Sequence, residues 1–338
     1  MWQVVGHEAA ITLLSRSLER DMLSHAYIFV GPPQVGKMTL ALALAQGVNC
    51  LASPASRPCG ECSQCRRIAQ GRHPDVQVVD LEVSASRATL KKEIGIDQVR
   101  EVQHWAILKP YEGRCRVIVF REAAHLSSDA SNALLKLLEE PPESVLFILL
   151  TIRVESILPT VLSRCQRVDL NPLSLNTVAR ELLSTRGIPP QEAMELARLS
   201  GGRIGWALEA AGNPQVLIDY TREVGRVASL VEDGLEERFA YAAELATLFP
   251  RDREKALGSL KTALSWWRDL LLVKKGGEEL VSNVSAREAL HRCSQWVSTP
   301  QVVEAIKRTQ DTMDCLEANV NPSLALEVLM LSLPRRDG

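Results

Sequence analysis

Residues 26–46 read Ala-Tyr-Ile-Phe-Val-Gly-Pro-Pro-Gln-Val-Gly-Lys-Met-Thr-Leu-Ala-Leu-Ala-Leu-Ala-Gln. The apolar run at 26–30 predicts a buried strand, and the run at 40–46 predicts a helix. Between them, Gly31–Thr39 has the G-x-x-x-x-G-K spacing of a phosphate-binding loop. Strand, loop and helix in this order are the context that the motif requires. The sequence therefore predicts a nucleotide-binding α/β domain.

The loop keeps the groups that contact phosphate but lacks one that holds magnesium. Gly31 and Gly36 allow backbone N–H groups to close around phosphate oxygens, and Lys37 would meet the β- and γ-phosphates. Met38 stands where a hydroxyl normally binds Mg²⁺, and a thioether is a poor ligand for a cation that prefers oxygen. Gln34 replaces a glycine that usually stands in such loops, which makes tight wrapping harder. We expect weak binding of ATP or ADP at most, without magnesium.

A second magnesium ligand is missing at the end of the predicted strand Arg116–Phe120. ATPases with this loop carry an acidic ligand there, usually followed by a glutamate. Here the ligand position holds Arg121, and Glu122 stands where a water-activating carboxylate would sit. Thr39 or a water could replace one lost ligand, but the arginine also opposes the metal by charge. The sequence predicts that the chain does not hydrolyse ATP by itself; an active ATPase with unusual ligands is the alternative.

Four cysteines lie close together in the sequence. Their spacing is Cys50-x8-Cys59-x2-Cys62-x2-Cys65, within a turn-rich stretch. Four thiolates in a short loop suit tetrahedral zinc, and because sulfur fills every position, such a zinc is structural. An iron–sulfur cluster and four unrelated free cysteines are the alternatives. The remaining cysteines are scattered at positions 115, 165, 293 and 315.

Further strands alternate with helices up to residue 170. This alternation predicts a parallel five-stranded sheet with helices on both faces. The predicted strands are 26–30, 76–80, 116–120, 145–151 and 167–170. The predicted helices begin at residues 40, 96, 128 and 158, and a surface loop is predicted at 81–95. In such sheets ligands bind beyond the carboxyl ends of the strands, where the phosphate-binding loop is expected.

From residue 171 onward the pattern is only helical. We predict a P-loop domain at 1–170 with the cysteine insertion at 50–65, a small helical domain at 171–212, and a larger helical domain at 213–338. The 39 Lys and Arg residues against 41 Asp and Glu residues give a net charge of −2, which argues against a uniformly basic nucleic-acid binder. The absence of a signal-peptide pattern and of a long apolar run predicts a cytoplasmic protein.

Several motifs resemble those of the bacterial clamp loader ATPases of DNA polymerase III. They are His25-Ala-Tyr27, Gly31-Pro-Pro33, the four-cysteine insertion, His73-Pro-Asp75, Asn132–Pro142 and Ser163-Arg-Cys165. The resemblance implies an AAA+ module, a helical lid and a helical collar that joins five subunits in a ring, a heteropentamer. It implies gamma/tau and delta subunits as partners. It also implies a role in DNA replication, with the sliding clamp and primed DNA reached through the assembly.

The resemblance also assigns roles to individual residues. Arg164 would be an arginine finger presented to ATP on a neighbouring subunit, and Thr151 matches the first sensor position. The family's lid arginine aligns with Gly205, two residues from Arg203. The groups that would act on the chain's own ATP are mostly lost, whereas Arg164 is kept. The pattern predicts a ring-supporting subunit without ATPase activity; the alternatives are an active gamma/tau-type motor subunit and a zinc-dependent DNA-binding protein with a vestigial nucleotide fold.

Overall fold

The computed structural model describes residues 2–81, 93–318 and 320–335. The chain divides into two units. The first contains the residues up to Glu181 together with Gly202–Trp206, and the second contains Leu182–Gly201 and the residues from Ala207 onward. The domain boundaries given above stay a prediction. The predicted surface loop at 81–95 lies mostly outside the described residues.

The first unit is built on a five-stranded parallel sheet with the order β2-β3-β4-β1-β5. Its strands are β1 (Ala26–Val30), β2 (Val76–Val79), β3 (Arg116–Phe120), β4 (Val145–Thr151) and β5 (Gln166–Asp169). The register places Val30 of β1 opposite Thr151 of β4 and Asp169 of β5. The loop that follows β1 therefore begins between the ends of two neighbouring strands. The predicted five-stranded parallel sheet is confirmed.

Helices cover both faces of this sheet. They are α1 (Glu8–Glu19), α2 (Lys37–Asn49), α3 (Ser63–Ala69), α4 (Ile96–Ile107), α5 (Ser128–Glu139) and α6 (Pro159–Leu162). Alternate residues of a strand point to opposite faces. Accordingly, Tyr27 lies in the apolar cluster that contains Leu14 of α1 and Leu44 of α2, whereas Ile28 lies in the cluster that contains Leu134 of α5. Every residue of β1, β3 and β4 is buried, which explains their continuous apolar sequence.

Two of these helices have no counterpart among the predicted elements. Helix α1 buries Ala10, Leu14 and Leu18, which repeat every four residues along one face. Helix α3 starts within the cysteine insertion, directly after Cys62, whose sulfur accepts a hydrogen bond from the Cys65 backbone N–H. The periodic signal for α1 is present in the sequence, whereas α3 is too short for periodicity to reveal it.

The remaining elements are helical, as predicted from the sequence beyond residue 171. They are α7 (Leu175–Arg186), α8 (Pro190–Ser200), α9 (Ile204–Gly212), α10 (Pro214–Ser229), α11 (Leu235–Leu248), α12 (Arg253–Lys274), α13 (Arg287–Ser294), α14 (Thr299–Glu317) and α15 (Pro322–Ser332). In the second unit, α12 packs against α10, α13 and α14 and buries Trp266 and Trp267 completely. Their rings meet edge to face at 4.8 Å between centroids. Within the described ranges, no helix combines the length and apolarity needed to cross a bilayer.

Candidate nucleotide and metal sites

The phosphate-binding loop lies at the carboxyl edge of the sheet, as its position after β1 predicts. The Gly31 N–H donates to the Thr151 carbonyl at 3.2 Å, and the Leu170 N–H donates to the Val30 carbonyl at 2.7 Å. A Cβ atom at Gly31 would lie 2.2 Å from the Leu170 carbonyl oxygen. Glycine is therefore required at this position because the backbone of Leu170, directly after β5, passes too close for any side chain.

Lys37, the phosphate-contacting cation of the motif, donates to carbonyls of its own loop. Its Nζ lies 2.5 Å from the Gly31 oxygen and 2.8 Å from the Pro32 oxygen. Met38 packs against the apolar cluster of α1, α2 and β1. Thr39, the possible substitute ligand, is exposed. The side chain at the magnesium-ligand position of the motif is therefore half-buried against the apolar core.

Two further hydrogen bonds tie the loop to distant parts of the first unit. His7 Nε2 donates to the Val35 carbonyl at 2.9 Å. The Gly205 N–H at the start of α9 donates to the Gln34 carbonyl at 2.8 Å. Gln34 adopts a left-handed backbone with φ of 58°, a conformation that glycine adopts more easily. The role of His7 has no signal in the sequence, because a lone histidine 28 positions before a backbone carbonyl has no recognisable pattern.

The end of β3 carries the predicted residues Arg121 and Glu122. Because the strands are parallel, these residues and the phosphate-binding loop lie at the same edge of the sheet, with β4 between them. Arg121 Nη1 lies 3.0 Å from Asp80 Oδ2, so a cation occupies the position of the metal ligand and pairs with the carboxylate that follows β2. Glu122 Oε2 lies 3.7 Å from His125 Nδ1. The sequence contains no pattern that marks the pairing of Arg121 with Asp80, which lies 41 positions away.

Thr151, the predicted sensor residue, is buried at the end of β4. Its hydroxyl donates to the Arg153 carbonyl at 2.8 Å, within the turn that follows the strand. Its own carbonyl accepts the hydrogen bond from Gly31 described above. The structure therefore brings Thr151 to the phosphate-binding loop, with its hydroxyl bonded to its own turn.

Arg164 lies at the opposite edge of the sheet from the phosphate-binding loop. It precedes β5 by two residues, and the first residue of β5, Gln166, pairs with Tyr27 near the start of β1. A five-residue strand spans roughly 13–17 Å at about 3.3 Å per residue, so the two edges are well separated. The Arg164 side chain is 34% exposed, and its Nη2 lies 2.7 Å from Glu139 Oε1. The arginine and the loop therefore do not form one site within this unit.

The four cysteines of the insertion converge. Their sulfur atoms all lie within 4.8 Å of one another. Tetrahedral zinc with Zn–S bonds of about 2.3 Å requires S–S separations of about 3.8 Å, so small side-chain shifts are enough to seat a metal. The positions follow from the local fold: Cys50 directly follows α2, Cys62 directly precedes α3 and Cys65 lies within α3. The donor set fits a structural metal, as predicted.

Backbone N–H groups point at these sulfur atoms. The N–H groups of Cys59, Cys62 and Cys65 donate to the sulfurs of Cys50, Cys59 and Cys62, at 3.3, 3.4 and 3.5 Å. The hydrogen bond from the Cys62 backbone, with a second from Glu61, lowers the pKa of Cys59 to about 6. Burial raises the pKa of the Cys65 thiol. A bound cation would offset that burial penalty, because metal ligands of this kind are thiolates.

A buried polar network holds the segment between α4 and β3. Asp75 is fully buried and accepts hydrogen bonds from the N–H groups of Tyr111, Glu112 and Gly113 at 2.7, 2.9 and 2.8 Å. Asn49 directly precedes Cys50, the first cysteine of the cluster. Its Oδ1 accepts from the Arg114 and Cys115 N–H groups, and its Nδ2 donates to the Cys115 carbonyl. These contacts give the His73-Pro-Asp75 motif a structural role that its spacing alone does not reveal.

Residues 6–174 match the family described as DNA polymerase III, delta subunit. The chain belongs to this family. The predicted resemblance to the clamp loader proteins of DNA polymerase III is thereby confirmed.

The chain is similar both to proteins named subunit delta' and to proteins named subunit gamma/tau. The Bacillus subtilis DNA polymerase III subunit delta' is 26% identical over 321 residues, which cover 95% of this chain and 94% of that protein. The Mycobacterium tuberculosis DNA polymerase III subunit gamma/tau is 31% identical over 261 residues, covering 73% of this chain but 44% of that protein. The chain thus spans less than half the length of this gamma/tau relative. Among solved structures, a Thermotoga maritima DNA polymerase III gamma subunit-related protein has a TM-score of 0.41 at 19% identity, covering 95% and 97% of the two chains.

Proposed function

We propose that this chain is a clamp loader subunit of the delta-prime type, which does not hydrolyse ATP and supplies Arg164 to ATP held by a neighbouring gamma/tau-type motor subunit. The observation that carries the proposal is the placement of Arg164 at the opposite sheet edge from the chain's own phosphate-binding loop. At that distance the guanidinium cannot contact a nucleotide in this loop. It is available to a nucleotide on another subunit.

The chain's own loop lacks the means to seat magnesium. Hydrolysis in this class of site depends on a metal that bridges the β- and γ-phosphates and is held by a hydroxyl and a carboxylate. Here Met38 packs into apolar surroundings and Arg121 pairs with Asp80. Lys37 is satisfied by two loop carbonyls. This combination favours weak, metal-free nucleotide binding and opposes turnover.

Arg164 has the chemistry that acceleration of phosphoryl transfer requires. A guanidinium carries a permanent charge and directed N–H donors, and an arginine finger supplied by a neighbour can raise the rate of transfer by about 10³–10⁵-fold. The side chain is partly exposed at the first unit's surface. We therefore assign Arg164 as the residue that stabilises the transition state on the motor subunit, in an assembly that places the sliding clamp on primed DNA.

The other elements take supporting roles in this proposal. The four cysteines hold a structural zinc that fixes the segment between α2 and α3. Residues 1–170 form the AAA+ module, 171–212 the lid and 213–338 the collar that joins the subunits of a heteropentamer. Gamma/tau and delta subunits are the direct partners. The protein acts in the cytoplasm as part of DNA polymerase III.

An ATP-hydrolysing subunit of the gamma/tau type is the second candidate. The presence of the loop residues Gly31, Gly36 and Lys37 and the identity of 31% with a gamma/tau relative favour it. The two candidates differ in one measurable property. A motor subunit turns over ATP through its own loop, whereas a delta-prime-type subunit affects turnover only in the assembled loader.

The test replaces Arg164 in a loader reconstituted with gamma/tau-type and delta-type subunits. Arg164→Ala should leave assembly intact and slow clamp-stimulated ATP hydrolysis at least tenfold, given the size of finger effects. Arg167→Ala is the matched control, because Arg167 is exposed nearby on β5 and pairs with Asp169 at 2.8 Å. Unchanged hydrolysis with Arg164→Ala, or an equal loss with Arg167→Ala, would refute the finger role.

A further inference from the structure

We infer that Glu139 is a positioning residue for the Arg164 finger. The inference rests on the function proposed above and deepens it. Glu139 Oε1 lies 2.7 Å from Arg164 Nη2, although 25 positions separate the residues in the sequence. Glu139 would not touch the nucleotide; it would fix the direction in which the guanidinium faces the neighbouring subunit.

The backbone position of Glu139 is fixed by the end of α5. It is the last residue of α5, which begins after Ser127, whose hydroxyl accepts from the Ala130 N–H. The helix cannot continue, because Pro141 and Pro142 follow. The buried leucines of α5 pack in the apolar cluster on one face of the sheet. The backbone from which the Glu139 side chain extends is therefore held in place by the packing of α5.

The charge of Glu139 is unfavourable where it stands. The C-terminus of a helix carries a partial negative charge, which favours cations and opposes carboxylates. Glu139 and Glu140 nevertheless both occupy the end of α5. Pairing with Arg164 compensates this opposition for Glu139.

The Arg164 guanidinium is held from two helices. Nη1 donates to the Thr160 carbonyl of α6 at 2.8 Å and to the Ser163 hydroxyl at 3.1 Å, while Nη2 donates to Glu139 of α5. Contacts at both terminal nitrogens define the plane of the group. An arginine has five N–H donors, so donors remain for phosphate oxygens.

The pair is too exposed to be a major stabilising contact. The two side chains are 34% and 50% exposed, and ion pairs of this kind contribute little to folding. Orientation is a different matter, since a flexible arginine loses rotational freedom when it engages a phosphate. A partner that restricts the side chain beforehand raises the fraction of arginines that face the nucleotide correctly.

The test measures ATP hydrolysis by the reconstituted loader with Glu139→Gln, an isosteric change that removes the charge. We expect kcat to fall about threefold to tenfold with little change in the KM for ATP, because positioning acts in the transition state. Glu140→Gln is the matched control, as Glu140 is an exposed glutamate one position further along and should leave kcat unchanged. The double variant Arg164→Ala/Glu139→Gln should be no slower than Arg164→Ala alone.

The outcomes separate this inference from the proposed function. A normal or faster kcat with Glu139→Gln, while Arg164→Ala remains slow, overturns the positioning role and leaves the finger standing. A rise in KM alone, or reduced incorporation of the variant into the loader on gel filtration, also overturns it, because it would indicate a structural role. If Arg164→Ala has no effect, the proposed function and this inference fall together.

Discussion

The Gly205 N–H donates a hydrogen bond of 2.8 Å to the Gln34 carbonyl, which joins the start of α9 to the phosphate-binding loop. A Cβ atom at position 205 would lie 2.9 Å from the Gln34 oxygen and 3.1 Å from its Cβ. The resemblance to the clamp loader family predicts a lid arginine at position 205, and phosphate-binding loops usually have a glycine at the position of Gln34. These two departures from the family pattern are in direct contact, and the loop leaves no room for a side chain at 205.

We predict that Gly205→Ala destabilises the protein. In a helix this change normally stabilises by about 0.5–1 kcal/mol. Here the new methyl group meets backbone atoms that cannot rotate away, and overpacking typically costs about 1–3 kcal/mol. Urea unfolding followed by tryptophan fluorescence and circular dichroism measures the net change.

The control for this experiment is Gly225→Ala. Gly225 lies within α10, and apart from its chain neighbours and the adjacent backbone of its own helix, no atom of the described structure lies within 4 Å of a Cβ placed there. We expect this variant to gain about 0.5–1 kcal/mol from the lower entropy of its unfolded chain. Equal shifts in the two variants would contradict the close contact between Gly205 and Gln34.

Local sequence patterns account for the sheet and for the two predicted sites. The strands at 26–30, 116–120 and 145–151 are recognisable because burial on both faces demands uninterrupted apolar residues. The cysteine cluster is recognisable because its ligands lie within 16 positions of the sequence. Both signals are local, so a single sequence is enough to find them.

Contacts between distant residues could not be predicted in this way. The Arg121–Asp80 pair joins the ends of two strands 41 positions apart, and the Arg164–Glu139 pair joins two helix ends. Each partner is a common surface residue with no spacing that marks it. Only the sheet order and the packing of α5 beside α6 bring them together.

The isolated chain should show no magnesium-dependent ATP turnover. Met38 offers no oxygen ligand and Arg121 adds a positive charge at the carboxyl edge of the sheet. A coupled phosphate-release assay with and without primed DNA measures the rate. Lys37→Ala should not alter this baseline, and a rate typical of ATPases that disappears with Lys37→Ala would disprove the prediction.

Metal analysis of the purified protein should find one zinc per chain. Cys62→Ser should release it, because the remaining three sulfurs cannot complete the tetrahedron around the ion. Cys315→Ser is the control: Cys315 is exposed and lies outside the cluster, so this variant should retain its zinc. A folded wild-type protein without bound metal would argue against the assignment.

Asp75→Asn should destabilise the first unit in a pH-dependent manner. Burial alone would raise the pKa of Asp75, but three backbone N–H groups and Arg116 outweigh it and hold the pKa below its ordinary value. A carboxylate of this kind stabilises the fold above its unfolded pKa of about 3.9, and this contribution is lost as the pH falls through the pKa of the folded protein.

At pH 7 we expect the free energy of unfolding to fall by about 2–3 kcal/mol in Asp75→Asn. The amide has one oxygen that can accept hydrogen bonds, and its NH₂ group cannot accept from any of the three N–H donors. The difference should begin to narrow below about pH 4, where Asp75 of the unfolded chain becomes protonated, and should continue to narrow as the pH falls towards the lower pKa of the folded protein. Denaturant unfolding from pH 7 to pH 3 measures the difference in unfolding free energy between the wild-type protein and the variant. Asp97→Asn is the control, because the Asp97 side chain is 88% exposed. A difference that stays constant across this range would show that the Asp75 charge is not what stabilises the loop at 111–113.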